Sequence, residues 1–129
     1  MLEELTLIRM ASSMARHAGA RHRVVAENIA NADTPGYRAR DVRGFSEYVN
    51  EAFTARATRA GHAGGASFGR ADRPEIFVDG SARETGNGNS VALEAEMVKS
   101  VAAQGQHRLA MTIYRKTHDL MRLGLGRGR

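Results

Sequence analysis

The 129-residue chain predicts a mainly α-helical fold in which long N- and C-terminal helices pair as an antiparallel hairpin, and three observations carry that expectation. From Leu2 to about Ala30 there is no proline, the only glycine is Gly19, and small or apolar residues recur at helical spacing. A second run of the same character extends from about Ser90 to Leu123, interrupted in propensity only by Gly105. Between them lies a stretch dominated by glycine and turn residues.

In the first run, Ile8, Ala11, Ala15, Ala18, His22, Val25 and Ile29 follow an alternating three-four step, a heptad seam that favours a partner helix alongside. Its alanines permit close approach but bury little area, so at roughly 25 cal/mol per Å² the seam stabilises weakly against a single neighbour. Leu5, Leu7, Met10 and Met14 lie partly off this line and imply a second neighbour.

The helix must stop at Asn28-Ile29-Ala30-Asn31-Ala32-Asp33-Thr34-Pro35-Gly36-Tyr37, because Pro35 lacks an amide proton and disfavours helical geometry at Thr34. Pro35 and Gly36 fit the central positions of a type II turn, and Asn31 and Asp33 suit the same turn. Beyond it, Phe45, Tyr48, Val49, Ala52 and Phe53 predict a short helix over about Ser46 to Ala57. The glycine-rich segment Gly61 to Gly69 argues against a regular element, and Glu75 to Asp79, bounded by Pro74 and Gly80, is the one strand candidate. Asn87-Gly88-Asn89-Ser90 is turn chemistry, with Asn89 or Ser90 able to cap the helix that follows.

In the last helix, Val91, Ala95, Val98, Ala102, Gly105 and Leu109 form a second seam of mostly small residues. Further along, Leu109, Ile113 and Leu120 lie on one face, and Met111, Tyr114, Met121 and Leu125 on another; the tail from Gly124 to Arg129 is expected to fray. Residues 1–43 and 88–129 therefore form one domain, with 44–87 inserted between them. The residues expected to pack helices are Ile8, Ala15, Val25, Ile29, Val98, Leu109, Ile113, Tyr114 and Leu120. The hairpin leaves apolar strips without cover inside the chain, which points to burial against other subunits, since isolated helices are marginal without packing.

The absence of cysteine excludes disulfides, thiolate metal sites and a cysteine nucleophile. No apolar run is long enough for a membrane span, and Glu3 and Glu4 stand where a cleaved secretory signal would be positive. The net charge of +5 raises an alternative reading, a small basic helical nucleic-acid-binding protein. Split by segment, residues 1–43 carry seven basic side chains against five acids, 44–90 five against six, and 91–129 seven against three. The excess thus gathers in the last helix, where basic residues also complement the helix dipole, and no groove-reading motif accompanies it.

Catalytic chemistry finds no foothold. His17 and His22 are five residues apart and His107 and His118 eleven, neither the spacing of helical metal ligands, and His62 lies alone in the glycine-rich segment. Glu94 and Glu96 read as partners of the helix N-terminus, Ser12 and Ser13 lack a nucleophile elbow, and Gly86 to Ser90 matches no phosphate-binding fingerprint. No enzyme, cofactor or metal is expected; a weak third reading is an enzyme's accessory subunit.

Two separated motifs carry a resemblance. Ser12-Ser13 followed by Asn28 to Tyr37, with Ala32-Asp33-Thr34-Pro35-Gly36-Tyr37-x-Ala39-x-Asp41-Val42, is similar to the N-terminal signature of bacterial flagellar axial proteins, in the version found in proximal rod proteins. Gly88-Asn89-Ser90-Val91-Ala92-Leu93-Glu94-Ala95-Glu96-Met97 resembles the start of their C-terminal helix, with Ala92 where Asp or Asn is usual. The resemblance implies a structural subunit of the basal-body rod, exported without a cleaved signal through the flagellar type III apparatus. It implies homo- and hetero-oligomeric contacts with other rod proteins, the membrane-ring protein and the export-gate-proximal adaptor. It also implies terminal helices in the inner layer of a tube, with Asn28, Asn31 and Tyr37 making backbone or intersubunit hydrogen bonds.

Overall fold

A computed structural model describes residues 2–57 and 68–126. The elements run α1 (Leu2–Ala30), β1 (Arg40–Val42), α2 (Phe45–Ala57), β2 (Ile76–Val78) and α3 (Leu93–Gly126). Most of the glycine-rich segment, including His62, and the last three residues of the tail lie outside the described residues.

Helix α1 ends where the proline requires. Its last turn tightens as the Asn31 amide meets the carbonyls of both Glu27 and Asn28 at 3.1 Å, and the Asn31 side-chain amide donates to the Glu27 carbonyl at 2.8 Å. Gly36 then adopts φ +71°, and the Tyr37 amide reaches back to the Thr34 carbonyl at 3.3 Å, as the expected turn demands. The strand candidate is also present: β2 pairs antiparallel with β1 in the register Arg40 to Val78, Asp41 to Phe77 and Val42 to Ile76.

Helices α1 and α3 lie alongside each other and run antiparallel. Asn28 meets Glu96 at 2.9 Å, Ala18 and His22 share a groove with Ala103 and His107, and Ile8 shares another with Tyr114, so rising numbers on one helix meet falling numbers on the other. The other side of α1 carries α2. There Phe45, Tyr48 and Ala71 pack with Met10, Met14 and Val49, and Ala52 and Phe68 extend the cluster. The Ser13 hydroxyl lies 2.9 Å from the Phe68 carbonyl and 2.8 Å from the Asp72 carboxylate, which also pairs with Arg16 at 2.6 Å.

The seam of α3 is displaced by one residue from the expected one. Its buried residues are Glu96, Ala103, Ala110 and Thr117, a strict seven-residue repeat, with Lys99, Gln106 and Ile113 half-buried between them. The expected positions Val98 and Leu109 are 70% and 54% exposed, and Ala95, Ala102 and Gly105 are exposed as well. Leu120, 61% exposed, also lies outside the hairpin's core. The reason is size. Facing α3, Ala11 and Ala18 are 1% exposed, and Ala103 and Ala110 match them at 1% and 0%, so the helices approach through methyl groups and the larger aliphatics are turned outward. On α1, Val25 is buried, Ile8, Ala15 and Ile29 are half-buried, and His22 is exposed. Helix α3 also starts at Leu93 rather than Ser90, for reasons that appear below.

A side chain enlarged on the seam must wedge the helices apart. Ala103→Leu and Ala110→Leu are each expected to lower stability by about 1–3 kcal/mol, whereas Ala102→Leu, one residue away, stays within about 0.5 kcal/mol of the parent. Urea denaturation of the three variants checks this, and a cost at Ala102 equal to that at Ala103 contradicts the register.

Candidate functional site

The two sequence motifs meet in space. At their centre is Asn28, which is fully buried and uses every hydrogen-bonding position of its amide. Its oxygen accepts from the Arg40 amide at 3.1 Å and the Tyr37 hydroxyl at 3.2 Å; its nitrogen donates to the Arg40 carbonyl at 2.6 Å and to Glu96 Oε2 at 2.9 Å. By holding both the N–H and the C=O of Arg40, Asn28 stands in for a neighbouring strand along the outer edge of β1.

The second motif closes over the turn. Asn89 donates from Nδ2 to the carbonyls of Asn31 (2.9 Å) and Thr34 (2.7 Å), and its Oδ1 accepts from the Val91 amide at 2.7 Å. The Ser90 amide donates to the Tyr37 carbonyl at 3.0 Å while its hydroxyl accepts from the Ala39 amide at 2.8 Å. These bonds correct the reading of Asn89 or Ser90 as the cap of α3. Both are spent on the first motif, and the helix begins three residues past Ser90. The Gly36 amide donates to the Asn87 carbonyl at 3.0 Å, and Gly88, at φ +78°, passes so near that a Cβ there would stand 3.4 Å from Gly36 Cα. Asp33 and Pro35 remain exposed on the outside of the turn.

A charged cluster continues inward from Glu96. This residue lies in the first turn of α3, as a partner of the helix N-terminus would, and is 2% exposed. Lys99 Nζ sits 3.1 Å from Glu96 Oε1, 3.1 Å from Asp79 Oδ2 and 3.5 Å from Asp41 Oδ2. Arg21 contacts the two oxygens of Asp41 at 3.2 and 3.3 Å. Burial alone would raise the Asp41 pKa, but hydrogen bonds from Arg21 and the Val42 amide, with the Lys99 charge, hold it below the ordinary value. Asp79 is likewise lowered, chiefly by the Ser81 hydroxyl and then by Lys99. Burial opposes the charge on Lys99, yet Asp79 and Glu96 raise its pKa overall.

Of the turn residues singled out in the sequence, Asn28, Asn31, Gly36 and Tyr37 belong to this junction. Glu96 and Asp41, which the two motifs contain but to which no role at the turn was given, complete it with Lys99, Asp79 and Arg21, which were not singled out. The Gly88 to Met97 string was the available signal for Glu96; nothing in the sequence tied Asp79 to Lys99. The histidines do not converge: His17 is buried beside α2, His22, His107 and His118 are exposed, and no group of three or more metal-binding side chains occurs among the described residues. The arrangement clamps two chain segments.

Comparison with known proteins follows the same segments. The family model described as flagella basal body rod protein matches residues 9–38, which span most of α1 and the turn through Tyr37. Over 128 residues, 93% of this chain and 92% of the relative, the sequence is 31% identical to the flagellar basal body rod protein FlgB of Agrobacterium fabrum. The chain belongs to the flagellar basal body rod protein family. Within this rod protein the matched segment supplies Asn28, and the partner strand of its clamp comes from some sixty residues downstream, at Gly88 to Lys99.

Removing Lys99, the one cation that contacts all three carboxylates, leaves Glu96 and Asp79 without a charge partner in the cluster and Asp41 with Arg21 alone. Lys99→Met is expected to cost about 3–5 kcal/mol in urea denaturation at pH 7. The depressed carboxylates fix the acid response. Asp41 and Asp79 titrate near 3.8 in the unfolded chain and lower in the fold, so their contribution is full above that pH and is lost as pH falls through the folded values. Lys99→Met moves that acid limb to higher pH, which stability curves between pH 2 and 7 would detect. Separately, Gly88→Ala is expected to cost about 1–2 kcal/mol, because a side chain at positive φ is strained and the added methyl presses on the turn; thermal melts against Gly86→Ala, an open position, check it.

Proposed function

We propose that this rod-family chain is a non-enzymatic structural subunit that builds the proximal rod of the flagellar basal body by burying the outward face of α3 against neighbouring subunits. The observation that carries this is the division of α3 into two faces. The inward face is Ala, Thr and a carboxylate, sufficient for the hairpin, while Met97, Val98, Val101, Leu109, Leu120, Leu123 and Leu125 are all more than half exposed. So many exposed large aliphatics along one helix are an interface signature, and among the described residues no helix is long and apolar enough to cross a membrane.

In this reading residues 1–43 and 88–129 act as one unit and 44–87 as an insert leaving at the Pro35-Gly36 turn. Asn28, Asn31 and Tyr37 serve assembly indirectly, by fixing the hairpin whose outer face does the binding. Asp33 and Pro35, exposed at the turn, are free to touch a neighbour. Val98, Leu109 and Leu120 pack between subunits, together with Tyr114 and Ile113 of the same helix. The partners are other rod proteins, the membrane-ring protein and the export-gate-proximal adaptor, and the subunit reaches the periplasmic rod by the flagellar export route without signal cleavage. The nucleic-acid alternative finds no support in the comparisons, which match the chain to the rod family.

A photo-crosslinking residue at Leu109 in otherwise intact basal bodies is expected to capture rod or ring components, identified by mass spectrometry. Val98→Ser with Leu109→Ser is expected to leave the subunit's helix content unchanged and to abolish swimming. Retained motility in that double variant, or no crosslink from assembled basal bodies, contradicts the assignment of this face.

A further inference from the structure

We propose that His17 is an acid-sensitive latch: adding a proton at its Nδ1 releases the Phe45–Tyr48 end of α2 from α1 while the α1–α3 hairpin stays closed. The imidazole is 1% exposed, and its Nε2 lies 2.7 Å from the Arg43 carbonyl. A carbonyl only accepts, so Nε2 carries the hydrogen and Nδ1 presents a bare lone pair. That Nδ1 is a buried side-chain polar atom with no hydrogen-bond partner among the described residues. Around the ring stand Phe45, with centroids 5.6 Å apart, and Tyr48 at 6.1 Å.

A second proton would therefore enter a pocket with no acceptor to meet it. The charged groups facing the ring do not supply one. On α1 itself, Arg21 repels a cation. From β1 and the residues after it come Asp41, already bonded by Arg21 and the Val42 amide and close to Lys99, and Arg43, whose guanidinium lies over the Tyr48 ring. From α2, Glu47 and Glu51 hold Arg43 at 2.7 and 2.6 Å, and from α3 the neutral Gln106 lines the same cleft. Burial is the largest influence and lowers the His17 pKa below 6.5; the Arg43 carbonyl opposes it, Arg21 reinforces it and Asp41 opposes it.

The docked state thus holds fewer protons than the undocked one. Undocking grows as pH falls from about 6.5 toward the docked value, by up to about tenfold per pH unit. Release is local because the remaining ties do not involve His17: the far end of α2 packs on Phe68 through Ala52 and Phe53, and the hairpin seam is built on alanines.

Hydrogen exchange of the full chain at pH 5.5 and 7.5, corrected for intrinsic rates, tests the latch. Peptides covering 45–54 are expected to lose at least fivefold protection at pH 5.5 in the parent, those covering 103–117 to keep theirs, and His17→Gln, which retains a donor for the Arg43 carbonyl, to remove the difference. Imidazole NMR on the parent chain stands independently of whether that variant folds: His17 must appear as the Nε2–H tautomer and titrate below the ordinary imidazole value of 6.5. A His17 that titrates at or above that value, equal loss of protection in α3, or a pH response that persists in His17→Gln each overturns the proposal.

Discussion

Everything else in the molecule depends on the buried junction of Asn28, Glu96 and Lys99. A carboxylate removed from water is stable only with compensating charge and hydrogen bonds, and Glu96 receives both, from Asn28 on one side and Lys99 on the other. Those partners are fixed in turn by the β1 backbone, by Asp41 and by Asp79. The junction therefore sets the register of α3 against α1 more strictly than alanine contacts could. Sliding α3 by one seven-residue repeat would still set an α3 alanine against an α1 alanine but would leave the carboxylate and the ammonium stranded. A polar residue that fixes helix register is a known use of buried polarity.

The legible and illegible parts of this fold divide along a physical line. The turn at Pro35-Gly36, the stop of α1, the short helix before Ala57 and the strand within Glu75 to Asp79 all followed from local chemistry that no tertiary contact overrides. The face of α3 did not. The expected line, Val91, Ala95, Val98, Ala102, Gly105 and Leu109, is mostly small residues, and the line that faces α1, Glu96, Ala103, Ala110 and Thr117, runs one residue beside it. Periodicity does not choose between two adjacent lines of small residues, and a carboxylate at the head of the second hides it from an apolar count.

Asn89 and Ser90 misled for a related reason. Each has a common local role, capping a helix N-terminus, and each is taken up instead by a segment more than fifty residues away. His17 belongs to the same class: helical spacing placed it on α1, but only the Arg43 carbonyl and the Phe45 and Tyr48 rings give it a setting. Pairings such as Asp79 with Lys99 leave no periodic trace, because they join a short strand's end to a helix through space alone.

The contact between Asn28 and Glu96 spans 68 positions, and the closure that creates it also completes the pairing of Ala39 with Ser90. Closing so long a loop costs entropy that local helix formation cannot offset in part, since Ala-rich helices of this kind are marginal before they dock. The subunit is consequently cooperative about its own completeness. Until residues beyond Ser90 are present, Asn28 has no carboxylate and β1 no hydroxyl to receive its amide, so the N-terminal third cannot settle ahead of the rest. A chain that stops short of Ser90 lacks the residues that close this clamp.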